Sequence, residues 1–343
     1  MQLTHLLRVV TASAVISSVG IIALAPAQAQ TQAQAQAQAQ SQTGNWPDRP
    51  VRLIVPFPPG GSTDTVARSI AEKLRERLGQ PVIIDNRGGA GGTIGSDIAA
   101  KAQPDGYTML IGTSSTHAIA PGVFSSLPYQ PTRDFAPVTL IGAATVMLVT
   151  VPSVPANSVA ELIALAKAKP ELLTFASSGN GGVSHLIGEY FKSRAGIEML
   201  HVPYKGDTPM IADLLGGQVS LAFGTAVAFL PHVQKGALKA LAVTSARPSP
   251  IAPGLPTVAE SGLADFEALQ WFGILMPAGT PKPIVDRLNR EIVAIVQSPE
   301  IKERFESMGI EVDGSSPEAF TTFMESEAAK WQKIAKDAGV KVN

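Results

Sequence analysis

From Trp46 onward, short apolar runs alternate with amphipathic segments along the chain. Residues 51–57 form an apolar run typical of a buried strand, whereas residues 65–78 carry apolar side chains four positions apart, the spacing of one helix face. The same criteria predict strands over 82–85, 107–111, 138–151, 173–176, 199–202, 221–223, 238–244 and 271–276, and helices over 93–102, 158–168, 184–195, 209–215, 283–297, 299–308 and 317–338. Strands that alternate with helices in this way are typical of parallel, doubly wound sheets.

The predicted elements fall into two α/β units. Residues 51–111 follow the order strand, helix, strand, helix, strand, and a second cycle starts with the apolar run at 138–151. Residues 247–256 contain four prolines and therefore predict a crossover rather than an element. Ligands of doubly wound sheets bind beside the carboxyl ends of the strands, so we expect the site in the loops at those ends.

The N-terminus has the pattern of a secretory signal peptide. Arg8 precedes an apolar stretch over residues 9–24, and Ala27-Gln28-Ala29 has the small-residue spacing of a cleavage site, which predicts a signal peptide over 1–29 and export to the periplasm. The alternative is a membrane anchor, although the apolar stretch is shorter than the ~20 residues that a bilayer requires. Residues 30–45 are rich in Gln and Ala and predict a flexible tether.

The amino-acid composition excludes several classes of protein. Hydrophobic residues make up 45% of the 343 and charged residues only 16%, with a formal net charge of −1. A disordered chain would be less apolar, and a nucleic-acid-binding protein would carry a basic excess, so we expect no nucleic-acid partner. The chain has no cysteine, which excludes a disulfide framework, a thiolate metal site and a cysteine nucleophile.

Sequence marks of catalysis are missing. The glycine-rich runs fit no G-x-G-x-x-G register, and the chain has no Gly-Lys pair, G-x-S-x-G, S-x-x-K or H-E-x-x-H. His117, His185, His201 and His232 are far apart in sequence, which favours separate structural roles over a metal site but leaves a spatial cluster open. We expect no catalytic residue, no cofactor and no metal.

Two glycine-rich loops follow the first two predicted strands. In residues 57–64, glycines let a ligand approach the backbone amides at a helix N-terminus, so an anion could bind without Lys or Arg. The alternative is an ordinary turn with Ser62 or Thr63 as N-cap, and we expect Asp64 to be structural. Residues 86–93 contain four glycines within five positions, which costs backbone entropy and favours a binding role over a linker.

Two further loops follow strands of the second unit. Residues 177–185 are rich in Ser and Gly and open a helix, so their hydroxyls and amides are candidates for closing over the other end of a ligand. His185 could cap, pack or contact the ligand, and these three roles stay open. In residues 202–207, Asp207 is a candidate partner for a ligand amine or hydroxyl.

Several motifs together resemble one family. The segments VRLIVPFPPGGSTDTVAR, DNRGGAGGTIGSDIAA, ASSGNGGVSHLIGEYF and MPAGTPKPIVDRLN occur in the order found in the Bug family, the TctC-like substrate-binding proteins of tripartite tricarboxylate transporters. The resemblance runs from Trp46 to the C-terminus. It implies an α/β, two-lobed periplasmic-binding-protein fold of type II, the Venus flytrap type, with two doubly wound sheets.

The resemblance also implies a domain division and a ligand site. Lobe I would comprise residues 46–143 and 245–343, and lobe II residues 144–244. The positions implied as ligand contacts are Pro58, Gly60, Gly61, Ser62, Gly89, Ala90, Gly91, Gly92, Ser177, Ser178 and His185, with Asp207 and Thr225 as weaker candidates.

The function implied by the resemblance is that of a monomeric periplasmic receptor. It would capture a small organic acid, a mono- or dicarboxylate that includes aromatic acids, for the integral membrane subunits of a tripartite tricarboxylate transporter or for a sensor. The alternative is a secreted hydrolase that acts on small carboxylates or esters. That alternative requires a nucleophile, a base and an acid close together, and no pairing in the sequence suggests such a set.

Overall fold

The computed structural model describes residues 45–342. The predicted signal peptide and all of the predicted tether except Asn45 lie outside these residues. The strands are β1 (Val51–Val55), β2 (Val82–Asn86), β3 (Thr108–Thr113), β4 (Phe135–Ala144), β5 (Val146–Thr150), β6 (Thr174–Ser177), β7 (Leu200–Pro203), β8 (Leu221–Thr225), β9 (Lys239–Val243), β10 (Gln270–Pro277) and β11 (Ile310–Val312).

Helices connect most of these strands. They are α1 (Ser62–Leu78), α2 (Thr93–Ala100), α3 (Ala120–Val123), α4 (Val159–Ala168), α5 (Val183–Ala195), α6 (Asp207–Leu215), α7 (Ala226–Gln234), α8 (Lys282–Val296), α9 (Pro299–Glu306) and α10 (Pro317–Asp337). Short 3₁₀ turns occur at Ala90–Gly92 and Pro170–Leu172, and a π-helical turn occurs at Ser115–Ile119. Within the described residues, no helix is both long enough and apolar enough to cross a bilayer.

The first sheet has the strand order β11-β4-β10-β3-β1-β2. Strand β1 pairs in parallel with β2 and β3, as the alternating pattern predicts. Parallel pairing holds for these three strands, but the sheet as a whole is mixed, because β10 runs antiparallel to both β3 and β4, and β11 runs antiparallel to β4. The chain reaches β10 from the second sheet rather than through a helix packed on the first, so the right-handed crossover that imposes parallel pairing does not apply to it.

The second sheet has the order β7-β6-β8-β5-β9, with β7, β6 and β8 parallel and β5 antiparallel to both β8 and β9. The apolar run at 138–151 predicts one strand but contains two, since β4 belongs to the first sheet and β5 to the second. The break is at Thr145, whose backbone N–H donates to the Gly309 carbonyl and whose carbonyl accepts from the Ala226 N–H. Hydrophobicity alone does not show where the chain leaves one sheet and enters the other.

Both faces of strand β1 are buried. Val51, Leu53 and Val55 of β1 pack in the cluster formed with the apolar sides of α1 and α8, whereas Ile54 belongs to the cluster that continues into the second sheet. A strand covered on both faces is apolar at successive positions, which explains the three consecutive apolar residues at 53, 54 and 55 of β1. The pattern missed α7, which contains Pro231, and the three-residue strand β11.

Candidate functional site

The glycine-rich loops of the two sheets face one another across two neighbouring cavities. The smaller has a volume of about 20 Å³, room for roughly one water molecule. The larger has about 270 Å³, more than the ~150 Å³ that is known to hold a benzene ring in another protein. The larger cavity therefore has room for a small organic molecule.

Four loops line the larger cavity, each at the carboxyl end of a strand. They follow β1 and β2 of the first sheet and β6 and β7 of the second. The lining residues are Phe57, Pro58, Gly89, Ala90, Gly91, Gly92, Ser178, Gly179, Asn180, Pro203, Tyr204, Lys205 and Gly206. The smaller cavity is lined by Phe57, Pro58, Gly61, Ser62, Thr63, Ser115, Ser178, Asp207, Thr208 and Gln270.

A buried carboxylate, Asp64, organises the two loops of the first sheet. It accepts hydrogen bonds from the Gly60 N–H at 3.0 Å, from Asn86 Nδ2 at 2.9 Å and from Arg68 Nε at 2.8 Å. Asn86 Nδ2 also donates to the Phe57 carbonyl at 3.0 Å. Burial raises the pKa of the Asp64 carboxyl, but these hydrogen bonds outweigh it and hold the pKa below its usual value. Asp64 is structural, as the sequence predicts.

The loop after β2 reaches closest to the second sheet at Gly91. Its φ is +63°, a left-handed conformation that favours glycine, and a Cβ atom there would lie 2.8 Å from the Asn180 carbonyl oxygen. The backbone N–H groups of Ala90 and Gly91 have no hydrogen-bond partner in the part of the chain that the structure describes. The loop thus presents two free amide donors beside the larger cavity.

A side chain from the second sheet caps helix α1. Asp207, the first residue of α6, accepts hydrogen bonds through Oδ2 from the Ser62 N–H at 3.1 Å and from Ser62 Oγ at 3.0 Å. A Cβ atom on Gly61 would lie 3.2 Å from the same oxygen, so glycine permits the approach. Negative charge at a helix N-terminus is favourable, and here it comes from the opposite sheet.

Hydroxyls and histidines hold the loop that follows β6. Ser184 Oγ accepts from the Ser178 N–H at 2.9 Å, and His185 Nδ1 accepts from the Gly181 N–H at 3.1 Å. Ser177 Oγ and His201 Nε2 are 2.6 Å apart. The His185 ring therefore positions the loop backbone, one of the roles that the sequence left open.

The structure brings together most of the residues that the sequence proposed as contacts. The smaller cavity collects Pro58, Gly61, Ser62, Ser178 and Asp207. Pro58, Ser178 and the four residues 89–92 line the larger one.

Four of the proposed residues line neither cavity: Gly60, Ser177, His185 and Thr225. Gly60 is tied to Asp64, while Ser177 and His185 form hydrogen bonds that hold the loop after β6. Thr225 is only 3% exposed at the end of β8, and its hydroxyl has no hydrogen-bond partner in residues 45–342.

Sequence reasoning missed Ser115 and Gln270, which both line the smaller cavity. Ser115 lies in the π-helical turn, and its Oγ accepts from the Val183 N–H at 2.9 Å, so it caps α5 from the first-sheet side. Gln270 is the first residue of β10. Because β10 runs antiparallel to β3 and β4, its first residues lie beside the carboxyl ends of those two strands, where the cavity is. One indication of Gln270 was present in the sequence, since it is a polar residue directly before the apolar run at 271–276.

Histidines 185 and 201 lie together, whereas the sequence favoured separate positions. Their ring centroids are 3.9 Å apart and their planes differ by 7°, with Phe175 stacked on His201. Burial lowers the pKa of His185 to about 3, helped by His201 and Lys192, and burial together with Lys192 lowers the pKa of His201 to about 4. The pair is neutral at pH 7 and packs as an aromatic stack.

Comparison with known proteins places this arrangement in a family. Residues 66–340 match the tripartite tricarboxylate transporter family receptor, TctC. The protein BugT of Bordetella pertussis is 40% identical over 298 residues, which cover 87% of this chain and 91% of BugT.

Solved structures agree with the family match. The structure of Rpa4515 from R. palustris with adipate has a TM-score of 0.84 and 40% identity and covers 86% of this chain and 99% of that one. MatC from Rhodopseudomonas palustris with bound malate has a TM-score of 0.81 and 32% identity, covering 84% and 99%. The two-sheet α/β fold and the resemblance in the loop motifs are thus confirmed, and the chain belongs to the TctC family of tripartite tricarboxylate transporter receptors.

Proposed function

We propose that this protein is a periplasmic receptor that captures a small organic acid between two lobes. The captured acid would be presented to the integral membrane subunits of a tripartite tricarboxylate transporter, or to a sensor. The observation that carries the proposal is the convergence of four strand-end loops on a cavity of about 270 Å³. The bound adipate and malate of the two similar structures support a carboxylate as the ligand class.

The division into lobes is part of this proposal. Lobe I comprises residues 46–143 and 245–343, and lobe II comprises residues 144–244. Support comes from sheet membership, which changes between β4 and β5, on either side of Thr145, and changes back between β9 and β10. The chain thus passes between the lobes twice, and these two passages are the places where a hinge could act during closure.

Backbone amides and hydroxyls supply the attraction for a carboxylate. The Ala90 and Gly91 N–H groups and the Ser178 hydroxyl border the larger cavity, and the one cationic side chain in its lining, Lys205, is exposed. Hydrogen bonds to a charged group contribute about 1.5–3 kcal/mol each, so a few of them are sufficient for micromolar affinity after ordering costs.

Closure of the lobes follows from where these donors lie. The amides of residues 90 and 91 belong to lobe I and Ser178 to lobe II, so a bound acid contacts both. A ligand that binds the closed form more tightly than the open form shifts the population toward the closed form. The closed form is the state that a membrane partner would recognise.

A receptor explains the site better than a hydrolase does. Ser177 and His201 are within hydrogen-bond distance, as a nucleophile and its base would be. Ser177 is fully buried and lines neither cavity, so its hydroxyl has no path to a substrate. The pair is better explained as support for the loop. The predicted signal peptide and the family both favour the periplasm as the place of action.

Thermal melting against a ligand panel tests the proposal. The purified protein is unfolded and refolded to remove bound ligand. It is then melted with mono-, di- and tricarboxylates and aromatic acids, and the fully esterified methyl ester of each acid serves as its uncharged control. A ligand at 100 times its Kd adds about 2.7 kcal/mol to the free energy of unfolding, which raises the Tm by several degrees. We expect one class of acids to raise the Tm and its esters to have no effect. If no acid in the panel raises the Tm, the receptor proposal fails.

A further inference from the structure

One oxygen of the Asp207 carboxylate accepts hydrogen bonds from the protein, and the other accepts none from the described residues. Oδ2 accepts both hydrogen bonds from Ser62, whereas Oδ1 accepts none from the described residues, and the side chain lines the smaller cavity. Two donors and the N-terminus of α1 already compensate its charge. An anion therefore occupies this helix N-terminus before any ligand arrives, and the available oxygen can accept a hydrogen bond from a ligand.

Gln270 faces the same cavity with an unpaired amide. The residue is 7% exposed, and its side-chain amide makes no hydrogen bond within residues 45–342. Because the residue lines the cavity and its amide atoms have no protein partner in the part of the chain described, the amide is free to pair with a ligand there. Ser115 is the third polar group, because its Oγ accepts from the Val183 N–H while its own O–H can still donate.

The cavity thus offers one anionic acceptor beside neutral donors. A second carboxylate would meet the donors of Gln270 and Ser115 but would place a like charge beside Asp207. An ammonium group would pair with Asp207 but offers no acceptor to the two donors. A primary carboxamide satisfies both sides, since its N–H donates to Asp207 Oδ1 and its carbonyl accepts from Gln270 Nε2 or Ser115 Oγ.

We propose that Asp207 and Gln270 form a carboxamide subsite, so that the preferred ligands are half-amides of short dicarboxylic acids. This inference rests on the proposed receptor function and names its substrate class. The acid end of the ligand binds the free amides of Ala90 and Gly91 in the larger cavity. The amide end lies where the two cavities adjoin, at Phe57, Pro58 and Ser178, and its NH2 group occupies the water-sized volume beside Asp207.

Isothermal titration calorimetry with matched pairs tests the inference. The probes are succinate and succinamate, glutarate and glutaramate, and adipate and adipamate, with 4-hydroxybutyrate as a hydroxyl-ended comparison. We expect the half-amide of the best-fitting length to bind at least tenfold more tightly than its diacid and than the hydroxy acid.

Two variants assign the preference to residues. In Asp207→Asn, the side chain can donate to a carboxylate, so the preference for the half-amide falls at least tenfold. Gln270→Leu removes a donor to the amide carbonyl and is expected to weaken half-amide binding at least threefold. Asp286→Asn serves as the matched control, because it makes the same charge change on α8, where Asp286 pairs with Lys282 and lines neither cavity.

Each outcome decides between the claims. If the wild-type protein binds a diacid or the hydroxy acid as tightly as the half-amide, the carboxamide subsite is wrong and the receptor function stands. The subsite is also wrong if Asp207→Asn keeps the wild-type preference, or if Gln270→Leu keeps the wild-type affinity for the half-amide. If neither these probes nor any acid of the melting panel binds, the receptor function and the subsite both fail.

Discussion

His185 and His201 lie face to face, with their ring centroids 3.9 Å apart and their planes within 7° of parallel. His185 Nδ1 accepts the Gly181 N–H, and His201 Nε2 is hydrogen-bonded to Ser177 Oγ. Two imidazoles stacked at this distance cannot both carry a charge at low cost, because like charges repel strongly in a buried setting. Protonation of either ring is therefore expected to disturb the loop after β6, because each ring holds a hydrogen bond to it.

Acid is expected to destabilise the protein through its buried histidines. Burial lowers the pKa of His117 to about 3, and the pKa values of His185 and His201 are about 3 and about 4. In the unfolded chain a histidine has a pKa of about 6.5, so between about pH 6.5 and 4 the unfolded state binds more protons than the folded state. The free energy of unfolding therefore falls as the pH falls through this window, by up to about 1.4 kcal/mol per pH unit for each proton.

Urea unfolding between pH 7.5 and 5 measures this slope, in a range where most carboxyl groups stay ionised. Replacing one titrating ring, as in His201→Phe, is expected to reduce the slope while keeping an aromatic stack with Phe175. Equal stability at pH 7.5 and pH 5 in the wild-type protein would contradict the prediction.

Asp64→Asn is expected to loosen both loops of the first sheet. The buried carboxylate accepts hydrogen bonds from the Gly60 N–H, Asn86 and Arg68. The Asn side chain has only one acceptor oxygen, so it can accept only some of these hydrogen bonds. We expect a loss of about 1–3 kcal/mol in the free energy of unfolding, measured by urea, together with weaker acid binding. Arg68→Gln removes only the half-exposed partner and should cost less than about 1 kcal/mol. Similar losses from the two variants would argue against the central role of Asp64.

Gly91→Asp is expected to abolish binding of the acid. The residue has φ of +63°, and its new Cβ would meet the Asn180 carbonyl oxygen at 2.8 Å, while the carboxylate repels the ligand. Gly217→Asp is the matched control, because Gly217 has φ of +70° and no atom lies within 4 Å of an added Cβ. Both variants carry similar backbone strain. Calorimetry should find binding lost only in Gly91→Asp, and wild-type affinity in a folded Gly91→Asp protein would remove this loop from the site.

Thr225→Val is expected to stabilise the protein and leave ligand affinity unchanged within twofold. The hydroxyl is buried without a hydrogen-bond partner in the described residues, and Val has nearly the same shape without the polar atom. Removing an unpaired buried hydroxyl should add about 1 kcal/mol to the free energy of unfolding. A Tm measurement tests the stability and calorimetry the affinity. A tenfold loss of affinity would restore Thr225 as a ligand contact.

Local patterns along the chain are enough to predict most of the fold. Helix α1 repeats apolar residues every four positions, and α4 begins after Ser158, whose hydroxyl accepts the Glu161 N–H. The boundary at Ala144 is not visible in the sequence, because β4 and β5 are both apolar and their separation depends on which strands each one pairs with. Pairing partners are distant in sequence and leave no local signature.

The sequence by itself determined the α/β class and the family, and it pointed to the loops proposed as the site, because these depend on local periodicity and on short motifs. Only the tertiary structure decided which side chains converge in the cavities. Ser62 meets Asp207 across 145 positions of chain, and Gln270 reaches the same cavity because β10 runs antiparallel to its neighbours. Such contacts depend on strand direction and on the packing of the two sheets, and these arise from the summed burial of many residues rather than from any one segment.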